Sequence, residues 1–373
     1  MDQGALRVAL VSPSYFAEDS LIGGGERYVS YLARALRQAT PDLPFALDLE
    51  VFALGERALS FLDGDVPVTV FPNENPQRHA MAAMSHHLWQ ALAPFDVIHI
   101  QQGLTFFGAY CAVIGRSLGK TVIVTDLGGG ENTLMLGHGG LCMVDGIISI
   151  SEFARAITKT YFKGPHIAVI GPVDTELFQP RPDIKRSREV LSVGRLLPHK
   201  GCDRVIDALP DGLALRLVGR AYDNAYFDLL QKRAKGKNVT FVTDADDVAL
   251  KAFYHTAGLY VHASTFTDIY GNRIAKPELM GLTTLEALAC GMPVAVSNTA
   301  SLPELAPDPR FSRVFDEVAG LRVVLEDYKA GRWPSEDVAG LARAHTVENY
   351  SFPVVGRRIA EFYAQVHAGR QAA

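Results

Sequence analysis

The chain has 373 residues, more than one hydrophobic core usually organises, so two domains are expected. Its hydrophobic fraction of 48% is that of an ordinary globular protein, and a net charge of −5 argues against a nucleic-acid partner. No apolar run reaches the roughly 18–20 residues that span a bilayer. Cys111, Cys142, Cys202 and Cys290 show neither zinc spacing nor a disulfide framework, which predicts small buried thiols in a reducing cytoplasm.

The opening LRVALVSPSYF is too short and too polar for a signal peptide or membrane anchor and reads as a first strand over 6–12. Further strands are predicted at 47–53, 67–71, 96–101, 120–126, 145–150 and 166–170, then at 189–194, 214–218, 239–242, 258–262 and 292–297. Helices fit between them at 25–38, 79–92, 105–118, 151–161, 201–209, 224–235, 246–256 and 283–290. Continuous apolar strands alternating with helices imply parallel sheets buried on both faces. The series breaks at 171–188, GPVDTELFQPRPDIKRSR, whose prolines and basic cluster mark a linker. The expectation is an α/β chain of two Rossmann-like domains, 1–175 and 188–350, linked by 176–187, with a last helix over 353–368. Ligands of open α/β sheets bind beyond the carboxyl ends of the strands, so the site belongs in the cleft between two facing domains.

The most informative stretch is KPELMGLTTLEALACG, 276–291. A loop ends at Gly281 and a helix begins at about Leu282, and the unpaired N–H groups of a helix start, with its dipole, favour a phosphate. Gly281, Leu282 and Thr283 are therefore candidate phosphate contacts. Glu278 and Glu286 flank them and can accept hydrogen bonds from hydroxyl groups on either side. A phosphate between two polyols describes a nucleotide-sugar. A second cationic loop, SVGRLLPHKG at 192–201, places Arg195 and Lys200 between a strand and a helix. There a guanidinium and an ammonium can neutralise a leaving diphosphate. It is not a Walker A loop, because glycine follows Lys200 and no Ser/Thr stands ready for magnesium. Behind the first strand, Gly23, Gly24 and Gly25 let backbone approach a ligand just before a helix. Asp244 and Asp246 form a D-x-D, read as helix capping rather than a metal site. Asp63-Gly-Asp65 reads as a turn. His99 reads as a core histidine, His86 and His87 carry no spacing signal, and His138 lies in a glycine-rich loop.

The E-x7-E arrangement with Pro277, the Gly281–Leu282 pair and EALACGMPVAVS resembles the signature of the family 4 retaining glycosyltransferases (glycosyltransferase group 1), which have the GT-B fold. The matching motifs run from about 23 to 304. The resemblance implies a nucleoside-diphosphate-sugar donor and no other cofactor, and no metal is expected because the helix start and the two cations already supply positive charge. It implies that Arg195, Lys200 and Glu278 carry the chemistry. Gly24, Gly25, Gly219, Val242, Gly281, Leu282, Thr283 and Glu286 would bind the donor, with Gly219 and Val242 beside the base and Glu286 on the ribose. The last helix would cross back to the first domain. The acceptor would be a sugar or lipid-linked hydroxyl, met in the cytoplasm or at the inner membrane face, with Asp126 and His138 on its side. One departure stands out. In TDLGGG, 125–130, Leu127 takes the place where the family usually has a histidine beside the anomeric carbon. That leaves open a non-catalytic nucleotide-sugar-binding subunit. A dehydrogenase is set aside because no G-x-G-x-x-G follows the first strand.

Overall fold

The computed structural model describes residues 5–15, 24–76, 80–128, 133–137, 139–334 and 338–372. They form two compact units: residues up to Pro172 together with Tyr350 onward, and Val173–Asn349.

Unit 1 is built on a sheet of eight strands. They are β1 (Leu6–Ser12), β2 (Leu47–Gly55), β3 (Leu59–Asp63), β4 (Val66–Pro72), β5 (Val97–Gln101), β6 (Thr121–Thr125), β7 (Gly146–Ser149) and β8 (His166–Ala168). Their order is β3-β4-β2-β1-β5-β6-β7-β8. All neighbours run parallel except β3, which pairs antiparallel with β4. β5 and β6 are buried at every residue, as strands covered by helices on both faces must be. The helices are α1 (Gly24–Ala39), α2 (His87–Leu92), α3 (Phe106–Ser117), α4 (Thr133–Leu136) and α5 (Glu152–Thr158). Thr105 caps α3 by accepting from the Gly108 amide, and Ser151 caps α5 in the same way.

Unit 2 carries a six-stranded, all-parallel sheet of β9 (Val190–Val193), β10 (Leu215–Val218), β11 (Val239–Val242), β12 (Leu259–His262), β13 (Val294–Ser297) and β14 (Ser312–Phe315). Its order is β11-β10-β9-β12-β13-β14. Between the strands lie α6 (Cys202–Ala208), α7 (Asn224–Arg233), α8 (Asp247–Thr256) and α9 (Leu282–Ala289), and α10 (Val318–Lys329) comes after β14. Helix α11 (Val338–Tyr350) follows, and then α12 (Phe352–Gln371).

α12 belongs to unit 1 and packs on α1. The contact is close because Gly356 has no side chain: a Cβ there would meet the Ala35 carbonyl oxygen at 2.0 Å. Phe352 adds a tilted ring contact with Tyr31 at 5.3 Å.

Several elements depart from the pattern read in the sequence. The helix expected over 79–92 is a 3-10 turn at Ala80–Ala82 followed by α2. Asn73 and Asn75 compete for that backbone: Asn73 Oδ1 accepts from the Met84 amide at 3.1 Å, and Asn75 Nδ2 donates to the Ala82 carbonyl at 3.0 Å. The Asp63–Asp65 turn joins an unexpected edge strand, β3, with Gly64 at φ +64°. β14, α10 and α11 were likewise not expected. Three cysteines are buried, but Cys142 is exposed in a 3-10 turn, Gly140–Met143. The proline-rich 176–187 stretch lies with unit 2, where the Arg186 guanidinium donates to the carbonyls of Tyr254, Ala257 and Cys290. No helix among the described residues is long and apolar enough to cross a membrane.

His99, on β5, is fully buried between α12 and β6. Its Nδ1 lies 2.6 Å from Tyr363 Oη and its Nε2 2.8 Å from Thr125 Oγ1. Burial pushes its pKa down from 6.5 to about 3. Because the folded value is the lower one, the unfolded chain takes up the proton first as pH falls. This histidine's contribution is intact above about pH 6.5 and is lost at about 1.4 kcal/mol per pH unit toward pH 3. The Tm of wild type should therefore fall between pH 7 and pH 5, and His99→Leu should show a shallower slope whatever its absolute Tm. Equal slopes would remove His99 as a cause.

Candidate active site

The switch in strand order explains where the motifs meet. β9 has β10 on one side and β12 on the other, so the loops leaving β9 and β12 diverge over the sheet and open a crevice at their carboxyl ends. The loop after β9 carries Arg195 and Lys200, and the loop after β12 carries Glu278. Lys200 closes a 3-10 turn, Pro198–Lys200. Gly201, at φ +68°, then starts α6 against the Ala263 carbonyl, which a Cβ would meet at 2.1 Å.

The crevice brings Lys200 and Glu278 into contact. Lys200 Nζ donates to Glu278 Oε2 at 2.9 Å and to the Pro277 carbonyl at 3.3 Å. Glu278 Oε1 accepts from the amides of Leu279, Met280 and Gly281 at 3.2, 3.4 and 3.1 Å. A further partner is His262, the last residue of β12. Its Nε2 lies 3.1 Å from Glu278 Oε2 and its Nδ1 2.9 Å from Thr284 Oγ1 on α9. Burial alone would raise the Glu278 carboxyl, but the Lys200 ammonium and the His262 ring hold it well below the usual carboxylate range. His199, beside this cluster, is pushed down to about 4 by burial and by the charges of Lys200 and Arg195.

Gly281, at φ +83°, is the N-cap of α9. Its own amide serves Glu278, and the Thr284 amide turns back to the Gly281 carbonyl at 2.9 Å. Among the described residues this leaves the amides of Leu282 and Thr283 as the donors without a partner at the helix start, a narrower set than the motif alone implied. The Thr283 hydroxyl accepts from Tyr260 Oη at 2.6 Å. Glu286 is buried, 2% exposed, with Tyr254 Oη donating to its Oε2 at 2.8 Å. Arg195 is exposed and pairs with no carboxylate among the described residues. At the neighbouring strand ends the Gly219 amide donates to the Val242 carbonyl and the Gly194 amide to Val218, each at 2.9 Å. Gly219 and half-buried Val242 thus sit side by side. Asp246 caps α8, accepting from the Ala249 amide at 2.7 Å.

In unit 1, Gly24 and Gly25 open α1. Asp126 follows β6, is nearly buried, and its Oδ1 accepts from the Gly128 amide at 3.0 Å. Leu127 between them is half-buried. Gly23 and His138 lie outside the described residues. Glu74, His86 and His87, all exposed, bring three ligand atoms within 4.8 Å of one another on this unit. The sequence spacing did not reveal that grouping, because Glu74 precedes the 3-10 turn that folds back on it.

Residues 22–177 match the model for Glycosyltransferase Family 4 and residues 174–309 that for Glycosyl transferases group 1. The chain is 27% identical, over 61% of its length, to the GDP-mannose-dependent alpha-(1-6)-phosphatidylinositol monomannoside mannosyltransferase of Mycolicibacterium smegmatis. It is 26% identical, over 55% of its length, to the lipopolysaccharide core biosynthesis mannosyltransferase LpsB of Rhizobium meliloti. The matched part spans 64% and 62% of those relatives, under two thirds of either. The fold matches that of Anabaena HepE, solved in complex with UDP and glucose, with a TM-score of 0.72, 16% identity, and coverage of 96% of this chain and 100% of that one. With both halves of the sequence matched and the fold shared, the chain belongs to the family 4 (group 1) glycosyltransferases of GT-B fold.

Proposed function

We propose that the protein is a retaining, metal-independent glycosyltransferase that moves a sugar from a nucleoside-diphosphate-sugar to an acceptor hydroxyl in polysaccharide or glycolipid synthesis. The observation that carries this reading is the Lys200–Glu278 contact of 2.9 Å beside the start of α9, which joins a cationic loop, a carboxylate and a helix N-terminus at one strand-end crevice. Unit 2 binds the donor, with Gly219 and Val242 beside the base and Glu286 toward the ribose. Unit 1, with α12, serves the acceptor. As the diphosphate leaves, charge grows on its oxygens while the sugar becomes oxocarbenium-like. Arg195, Lys200 and the free amides of α9 stabilise that charge. Glu278 holds sugar hydroxyls, and a leaving phosphate oxygen takes the acceptor proton. The positive charge of two side chains and a helix start replaces that of a metal ion. The relatives' names make GDP-mannose the first donor to test, and a lipid-linked acceptor would be met at the inner membrane face.

Leu127 favours a second reading. It stands directly after Asp126 at the end of β6, where the resembled family usually has a histidine, and its side chain offers no hydrogen bond. A binding subunit without turnover would tolerate leucine there. One experiment decides. The purified chain is screened by thermal shift against UDP-, GDP- and ADP-sugars, where a ligand at 100 times its dissociation constant should stabilise by about 2.7 kcal/mol. Turnover is then assayed with the best donor, with and without EDTA. Transfer or donor hydrolysis that survives EDTA supports the proposal. Binding without turnover supports the subunit, and a loss restored by magnesium or manganese overturns the metal-free mechanism.

A further inference from the structure

We infer that Lys200 is a shared group, paired with Glu278 in this structure and drawn onto the diphosphate when donor binds, and that His262 is the positioning residue that keeps Glu278 aimed once Lys200 has turned. The inference rests on the donor-binding reading above and adds a residue and an order of events to it.

The argument starts from lone pairs. A carboxylate offers about four acceptor sites. Glu278 already takes five donors: three amides on Oε1, and Lys200 and His262 on Oε2. A sugar hydroxyl can reach Glu278 only if one of them leaves. The three amides form the turn that delivers the chain into α9, so losing them would undo the helix start. His262 is buried and gripped from its far side by Thr284 Oγ1. Lys200 alone sits on a flexible four-carbon stem and carries the charge that a diphosphate attracts. Its departure would leave a buried carboxylate without its cation, a state proteins disfavour strongly.

His262 answers that problem. If the Thr284 hydroxyl donates to Nδ1, the neutral ring carries its proton on Nε2 and donates it to Glu278. Both nitrogens are then satisfied; the tautomer follows from these partners. The ring thus ties the carboxylate to β12 and to α9 independently of Lys200. Sugar recognition by Glu278 becomes conditional on Lys200 engaging the phosphate, so the site distinguishes a whole nucleotide-sugar from a free sugar.

The test is calorimetry with GDP and GDP-mannose, and with UDP and UDP-glucose, using whichever pair shows tighter binding of the sugar form. The quantity read is the affinity ratio of nucleotide-sugar to nucleotide. Glu278→Gln and His262→Leu should each cut that ratio by about tenfold or more, the worth of a hydrogen bond to a charged group, with nucleotide affinity not lowered in either, since Glu278→Gln also releases Lys200. His262→Gln, which can still donate, should recover most of it. Lys200→Ala should weaken binding of the bare nucleotide by about tenfold. A wild-type ratio in His262→Leu, alongside a reduced one in Glu278→Gln, overturns the role of His262 and leaves the donor-site reading intact. A wild-type ratio in Glu278→Gln overturns that reading and the inference with it. Equal weakening of nucleotide and nucleotide-sugar in His262→Leu marks a merely structural residue. Unchanged nucleotide affinity in Lys200→Ala overturns the transfer of Lys200. If His262→Leu does not fold, Thr284→Val removes only the ring's distal partner, and an unreduced ratio there overturns the positioning role.

Discussion

Replacing Lys200 by alanine should lower kcat by on the order of 10²–10³-fold, with a smaller change in KM for the donor, because the charge it faces grows in the transition state. The fold should survive. Glu278 would keep its three backbone amides and His262 after Lys200 is gone, so the carboxylate would not be stranded. Arg195→Ala should act in the same direction and cost no stability, since the exposed guanidinium holds no carboxylate among the described residues. If both cations serve one diphosphate, the double variant should be less than additive. Steady-state kinetics at saturating donor check this, with circular dichroism confirming the fold. Either single variant retaining wild-type turnover would remove that residue from the chemistry.

Replacing Gly219 by alanine should destabilise unit 2 by about 3 kcal/mol or more, through backbone strain and a steric clash together. At φ +149° the backbone is in a region that side chains rarely adopt, and a Cβ would stand 1.9 Å from the Gly194 carbonyl oxygen. For a unit of this size the shift in Tm should be on the order of 6–12 °C. Gly212→Ala is the internal control. Gly212 also has positive φ, +76°, but nothing lies within 4 Å of its would-be Cβ, so only the conformational cost of about 1–2 kcal/mol applies. Similar losses in the two variants would show that backbone conformation, not the approach of β10 to Gly194, governs the strand-end crevice.

The same crevice shows what the sequence could and could not disclose. Strand and helix periodicity exposed both parallel sheets, because buried strands such as VIHIQ and TVIVT are short β-branched runs set between helical stretches. β14 escaped notice because SRVF is short, carries a charge, and leaves Val314 exposed. The Glu278–Glu286 spacing and the Arg195–Lys200 loop were legible as local patterns. Their meeting was not, since it depends on which strands neighbour β9. His262 was missed for the same reason. A lone histidine ending a strand has no periodic partner, and its two contacts reach Glu278 and Thr284 across a long loop. Its position as the last strand residue before the glutamate-bearing loop was the one available hint. Glu286 was expected beside a ribose, and its burial against Tyr254 became visible only once α8 and α9 were packed.

The placement of α12 has a consequence for how the protein is made. Unit 1 is assembled from two stretches of chain separated by the whole of unit 2, whereas unit 2 is one continuous stretch. On the ribosome, the residues of unit 1 up to Pro172 emerge first but lack the helix that covers α1. His99 then lacks Tyr363, its partner 264 positions later. At roughly 5–20 residues per second, the wait for that helix lasts on the order of ten to forty seconds. Throughout it the apolar face of α1 that receives Phe352 and Gly356 stays uncovered. The unit whose first stretch is made before unit 2 is therefore the one that matures after it, and nascent-chain chaperones have a target on α1.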